Sequence, residues 1–237
     1  MFVVKSKKQV ITFALIVFLG ISAGAVLRFS RLAHTFSANR KSIMVVLDAG
    51  HGLPDGGAVG ADGTVEHEIN LSIAKKTQEV LQGKGFLTLM TREGADSLAV
   101  DEESTIRQMK KNDMRKRKQI IKESGAELFI SIHMNSYPDK SARGLHFFYS
   151  ANHPEISELA ELIQKKAADV TGAKTHAVKT ADTGLFLMKN PPVPAILAEC
   201  GFLSNPEEEE KLKSEEYQAQ IAWAIGDAVE EYYKNNK

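Results

Sequence analysis

Two histidines and two glutamates are placed in this sequence as metal ligands and a base would be. His51 lies in Asp48-Ala49-Gly50-His51-Gly52, just after the β-branched run Ile43-Met44-Val45-Val46-Leu47. His133 closes the run Leu128 to Ile132, Glu199 closes Ala195 to Ala198, and Glu66 stands where a helix should begin. Imidazole nitrogen and carboxylate oxygen suit zinc, and a catalytic zinc site takes three protein ligands and leaves the next position to water. His51, Glu66 and His133 would supply that set, with Glu199 left over as a base for the water. Spacing alone carries little weight, because the four are far apart and no H-E-x-x-H helix joins them. A single histidine is more often an ordinary polar residue, and an acid at a helix start usually just complements the dipole. Glu68 stands as an alternative to Glu66 as ligand, and His67 as another imidazole.

The neighbours strengthen the grouping. Gly50 and Gly52 flank His51 and let the backbone come close to a metal or substrate. Asn135, two residues past His133, would face the same side of a strand. Glu199 is the one acid in Pro194 to Phe202, and a carboxylate at the mouth of a buried strand needs a partner or a use.

The elements that must position these residues alternate between strand and helix patterns. Ile43–Leu47, Phe86–Met90, Leu128–Ile132 and Gly144–Tyr149 read as strands, with short strands at Leu185–Met188 and Ala195–Ala198 around Pro191-Pro192-Val193-Pro194. Ile69, Ile73, Val80 and Leu81 fit a helical stripe closed near Gly83 and Gly85. Arg107 to Ser124 reads as a basic amphipathic helix; Leu159 to Val170 and Tyr217 to Val229 give two more helical faces. Alternation of this kind argues an α/β sheet covered on both faces. In open α/β sheets, sites form where loops leave the carboxyl ends of strands, which is where His51, His133 and Glu199 fall.

The chain has 237 residues, and 30 basic residues balance 30 acidic ones, so no global field points to nucleic acid. Lys116-Arg117-Lys118 and Glu207 to Glu210 read as solvated helix faces. Cys200 is the single cysteine, which excludes an internal disulfide. Lys5, Lys7 and Lys8 precede an uncharged run, Val10 to Leu27, at the lower limit for crossing a bilayer. Ala23-Gly24-Ala25 fits a cleavage pattern. Residues 1–36 are therefore expected to be a signal peptide or membrane anchor with its linker, and 37–237 a single catalytic domain. The domain would be exported, either anchored or secreted, on the outer side of the membrane.

Four segments in order resemble the zinc N-acetylmuramoyl-L-alanine amidases of the amidase-3 type: Leu47 to Gly52, Gly63-Thr64-Val65-Glu66, Phe129 to Asn135, and Glu199-Cys200-Gly201-Phe202-Leu203-Ser204-Asn205-Pro206. The resemblance runs from Ile43 nearly to the C-terminus. It implies that His51, Glu66 and His133 bind zinc, that Glu199 is catalytic, and that a mixed, mostly parallel sheet of about six strands is flanked by helices. The implied reaction is hydrolysis of the amide between the lactyl group of N-acetylmuramic acid and L-alanine in peptidoglycan. Ile120 to Leu128 and Leu187-Met188-Lys189-Asn190 carry a closer likeness to the germination amidases of spore formers, implying a role in the spore cortex. The chain departs from the family at Ile121-Lys122, where Ala-Asn is common, at His67, where Lys is common, and at Cys200, where Val is common; no departure removes a ligand.

In this reading Glu199 takes a proton from the attacking water and passes it to the departing amine. The stretch from His133 to Gly144 has only loop length, leaving no room for an inserted autoinhibitory helix. A controlling protein partner is not specified by the residues. Two other readings stand beside this one: a hydrolase using Cys200 as nucleophile, and a non-catalytic wall-binding module on the same fold. His146, His153 and His176 are expected at the surface or in the substrate cleft, and His67 beside the site or at the surface.

Overall fold

Met44–Ala49 forms β1 because five of its six residues are buried, with Val45 and Val46 stiffened by branching at Cβ. A computed structural model describes residues 43–101, 103–181 and 184–236. The expected export segment, residues 1–36, lies outside them. The other strands are β2 (Leu87–Met90), β3 (Leu128–Asn135), β4 (His146–Tyr149), β5 (Lys179–Thr180) and β6 (Ala195–Phe202). They form one six-stranded sheet in the order β2-β1-β3-β6-β4-β5. β2, β1, β3 and β6 run parallel, and β4 turns against β6 with β5 parallel beside it. The expected mixed, mostly parallel sheet is therefore present.

The helices are α1 (Glu66–Gly83), α2 (Ile106–Glu123), α3 (Ser157–Thr171), α4 (Pro206–Lys213) and α5 (Glu215–Asn235). Among the described residues none is long and apolar enough to cross a membrane. α1, α3 and α5 pack on one face of the sheet around Ile73, Leu81, Ile163, Ile221 and Ile225. The second face is covered more thinly, by α2 through Ile121 and Met114 and by the Leu187-Met188 segment. That thinner cover leaves room for a cavity on this face.

Two sequence expectations change. Leu185–Met188 is a hydrogen-bonded turn, Met188 and Lys189 both donating to the Leu185 carbonyl, and not a strand. Its apolar side chains form a cavity wall, so they carry a buried-strand composition without a strand partner. The sixth strand is instead Lys179–Thr180, two exposed residues with no apolar signal.

Both charged runs are also less solvated than their composition suggests. Arg117 is wholly buried, though Lys116 beside it is exposed. Glu208 accepts from the backbone of Gly144 and Phe202, and Glu209 from Ala61 and Asp62. These acids are buried because each satisfies backbone N–H groups that would otherwise lack partners, those of Gly144, Ala61 and Asp62 in loops distant in sequence and that of Phe202 at the end of β6.

Candidate metal and catalytic site

The residues of one sheet face are set by alternation along the strands. Val46 and Asp48 of β1, Phe129, Ser131 and His133 of β3, and Leu197 and Glu199 of β6 share the face covered by α2. His133 and Glu199 are register partners on adjacent parallel strands, so their side chains rise side by side. The register shifts between His133 and Asn135, and such a bulge re-aims side chains near sites. A cavity of about 420 Å³ opens over them, lined also by His51, Glu66, Met114 and Phe186.

His51 follows β1 with φ of 60°, in the left-handed region uncommon for a residue with a side chain. Its carbonyl accepts from Arg92 Nε and Arg117 Nη2, while the Ala49 carbonyl accepts from both arginines and the Gly50 carbonyl from Arg92 and Asn70. The two guanidinium groups thus grip three successive carbonyls and hold the turn that presents His51. Asp48 anchors Arg117 at 2.6 Å and also accepts from Thr91 and Ser131. Burial opposes the Asp48 charge, but Arg117 and the two hydroxyls hold its carboxyl below the ordinary value.

Glu66 starts α1. No side chain caps this helix; the Ala58 and Gly56 carbonyls take the N–H groups of Glu66 and His67. The Glu66 carboxylate then accepts from the N–H groups of Ala58 (2.8 Å) and Met134 (3.1 Å). Its two oxygens lie 3.3 Å from His51 Nε2 and 3.0 Å from His133 Nδ1. The donor atoms of His51, Glu66 and His133 all lie within 4.8 Å of one another. Ligands of a tetrahedral zinc ion with bonds of ~2.0–2.2 Å lie ~3.3–3.6 Å apart, so the residues present fit such an ion. On the far side of His51, Nδ1 faces Asp55 Oδ2 at 3.1 Å, the outer carboxylate that typically orients a metal-binding imidazole.

Two glycines are required by this closeness. A Cβ on Gly50 would stand 2.2 Å from His133 Nε2, and one on Gly57, with φ of 77°, 2.4 Å from Glu66 Oε2.

The electrostatics of the cluster are set by burial and by the contacts between its imidazoles and carboxylates. Burial disfavours a charge on His51, but the Asp55 and Glu66 carboxylates outweigh it and raise the imidazole to about 9. Burial likewise opposes ionisation of Glu66, yet His133 and His51 hold its carboxyl far below the carboxylate range. Glu199 behaves differently. Burial pushes its carboxyl up to about 7, His133 and His51 pull it back, and the Glu66 charge adds to the rise. Its Oε2 is buried and finds no hydrogen-bond partner among the described residues.

The four residues singled out in the sequence therefore meet in one cavity. Glu68 is exposed and stands outside the donor group. His67 is buried rather than at the surface, and its carbonyl accepts from Arg92. Cys200 points to the opposite face, wholly buried in the larger core, and burial pushes its thiol well above the ordinary range; a nucleophilic role is excluded by that seal. His146 and His176 stack near β4 and β5, and His153 contacts Glu155; none of the three lines the cavity. Sequence reasoning missed Asp55, Arg92 and Arg117. Asp55, four residues past His51 in a glycine-rich loop, was findable as the carboxylate that a ligating histidine needs.

An α/β sheet whose strand ends bring two imidazoles and a carboxylate together, with a spare carboxylate alongside, has the donor set that could hold a metal ion beside a base, as a hydrolase would use it. The chain belongs to the N-acetylmuramoyl-L-alanine amidase family, whose Amidase_3 model matches residues 45–231. It is an enzyme of that class, acting on the amide between N-acetylmuramic acid and L-alanine in peptidoglycan. The germination-specific N-acetylmuramoyl-L-alanine amidase of Bacillus subtilis (strain 168) is 36% identical over 190 residues, spanning 80% of this chain and 79% of that protein. The CwlD amidase of Clostridioides difficile, solved in complex with the GerS lipoprotein, superimposes with a TM-score of 0.78 at 37% identity, over 82% of this chain and 100% of that one. The catalytic domain of CwlV from Bacillus (Paenibacillus) polymyxa gives a TM-score of 0.70 at 28% identity, over 81% and 98%.

Proposed function

We propose that His51, Glu66 and His133 hold a zinc ion, that Glu199 moves the protons of the reaction, and that the enzyme works outside the cytoplasm on the cortex of a spore. The observation that carries this reading is the convergence of the three donors beside a carboxylate with an unpartnered oxygen. When bound, zinc supplies a Lewis acid that polarises the scissile carbonyl and acidifies water. Glu199 takes a proton from the attacking water and returns it to the amine of L-alanine as the C–N bond breaks. Asp55 fixes the His51 ring, and the Arg92–Arg117 grip fixes its backbone. Leu185, Phe186, Leu187 and Met188 wall the cavity with apolar surface and limit water.

The cortex assignment rests on likeness to the germination-specific relative. The Clostridioides difficile relative is held in complex with a lipoprotein, and a protein partner is proposed for this chain by analogy. The test is zinc content measured together with product analysis. Purified enzyme should carry a single zinc and release L-alanine amino groups from muropeptides without new reducing ends. Glu66→Gln should weaken zinc binding by at least ~100-fold and lose cleavage with it. Undiminished cleavage by a zinc-free preparation would contradict the assignment.

A further inference from the structure

We infer that the groove along α2 is the subsite for the acidic stem peptide, with Arg107 and Lys111 receiving the first free carboxylate beyond the scissile bond. This rests on the amidase reading above. The chain is neutral overall, yet the outer side of α2 exposes Arg107, Lys110, Lys111, Arg115 and Lys116. A groove of about 570 Å³ runs along this helix, lined by Arg107, Gln108, Lys110, Lys111, Met114 and Phe186. Lys110, Met114 and Phe186 also line the cavity that holds His51 and Glu199, so the two depressions adjoin along these side chains.

The positive charge begins beside the reacting centre. Lys110 Nζ lies 2.9 Å from Asp55 Oδ2, the carboxylate that orients His51. Arg107 and Lys111 stand at i and i+4 and share one helix face. Neither makes an ion pair with another described residue, whereas Lys110 is paired with Asp55 and Lys116 donates to the Leu98 carbonyl. Two like charges held close on a helix cost stability unless an anion answers them.

The substrate supplies anions on one side only. The lactyl carboxyl is consumed in the amide and the N-acetylated sugar is uncharged, so free carboxylates occur only along the peptide. An extended peptide advances ~3.3–3.6 Å per residue, and one helical turn spans ~5.4 Å. Lys110, in the second turn of α2, lines both depressions and reaches Asp55, which sets the start of α2 on the path of the peptide beyond L-alanine. The apolar shelf of Met114 and Phe186 lies between, suited to the aliphatic parts of the peptide. Charge complementarity thus fixes the direction of the substrate: peptide along α2, glycan away from it.

The test uses the zinc-loaded full chain and two substrates with the side-chain carboxyl of D-glutamate amidated in both: N-acetylmuramyl-L-alanyl-D-glutamate with a free α-carboxyl, and the same compound with that carboxyl amidated as well. The parent should show a KM roughly three- to tenfold lower for the acid, and the preference should shrink with salt. The double variant R107Q/K111Q should raise KM for the acid to the amidated value, leaving kcat and the amidated substrate unchanged. R107E/K111E should reverse the preference. Both positions are exposed, and unchanged thermal melting will verify the fold. A parent without preference, or a double variant that keeps the parent's ratio, overturns the subsite. Failure of the parent to cleave either compound instead sinks the amidase reading, and the subsite with it.

Discussion

Glu199→Gln is expected to lower kcat by roughly 10²–10⁴-fold, the range general acid–base catalysis contributes, while zinc content stays that of the parent. Glutamine keeps the shape of the side chain but cannot accept the water's proton or deliver it to the leaving nitrogen. Metal retention follows because Glu199 is not among the three converging donors. The pH profile gives a second reading. Burial lifts the carboxyl to about 7, and a cation held by the neighbouring donors would favour the carboxylate, so the working value is expected at or below this. A base acts when deprotonated; kcat/KM should therefore fall as pH drops through that value in the parent. The acid limb should vanish from the residual rate of the variant. Parent-like digestion of peptidoglycan by Glu199→Gln would remove Glu199 from the mechanism.

Arg117→Ala should carry the largest cost in stability. The guanidinium is wholly buried and bonded to Asp48, Asp113 and the Ala49 and His51 carbonyls. Its loss strands the Asp48 carboxylate, and breaking a buried pair costs about 3–5 kcal/mol, a large share of a domain's total stability of about 5–15 kcal/mol. At about 2–4 °C per kcal/mol for a domain of this size, Tm should fall by ~6–20 °C. Lys116→Ala, one residue away and exposed, should change stability by at most about 0.5 kcal/mol. The sign with pH follows from Asp48. Its folded-state carboxyl is held below 3.8, so the pair stabilises fully above that value and its contribution is lost as pH falls through the depressed one. The destabilisation by Arg117→Ala should accordingly be greatest near neutrality and shrink in acid. Zinc affinity should fall too, because the His51 turn loses one of its two guanidinium partners; Arg117→Lys should restore little, since an ammonium cannot bond the carboxylate and the carbonyls in the same fork. Equal Tm shifts at Arg117 and Lys116 would contradict this picture.

The difference between these two neighbours shows what a single sequence conceals. Lys116-Arg117-Lys118 has the composition of a solvated face, and the burial of its middle member depends on Asp48, far away in the chain. Glu208 and Glu209 are hidden for a related reason: their partners include backbone N–H groups of loops far off in the chain, at Gly144 for one and at Ala61 and Asp62 for the other. Strands β1, β3 and β6 were legible because apolar, β-branched runs of strand length end in functional residues, and a parallel sheet brings such ends together. Register did the remaining work, placing Glu199 opposite His133, which no spacing could predict. The turn at Leu185–Met188 misled because a cavity wall and a buried strand draw on the same apolar residues. β5 escaped notice because two exposed residues pair through the backbone, where side-chain type carries no signal.

The loop from Gly50 to Val65 links these observations. Its start is gripped by Arg92 and Arg117, its middle by Glu209, and its end by the helix that carries Glu66. On the proposed reading, a site so braced would hold the three donors close together ahead of metal binding, which lowers the ordering cost of binding. Lys110, reaching Asp55 from α2, joins this frame to the groove assigned to the peptide.

Anomalous diffraction at the zinc edge from crystals of the zinc-loaded enzyme measures the central claim without relying on activity. A single peak should lie within bonding distance, ~2.0–2.2 Å, of one atom each from His51, Glu66 and His133, with Glu199 beside the ion and not bound to it. A peak ligated elsewhere, or one that excludes Glu66 or either histidine, would contradict the account.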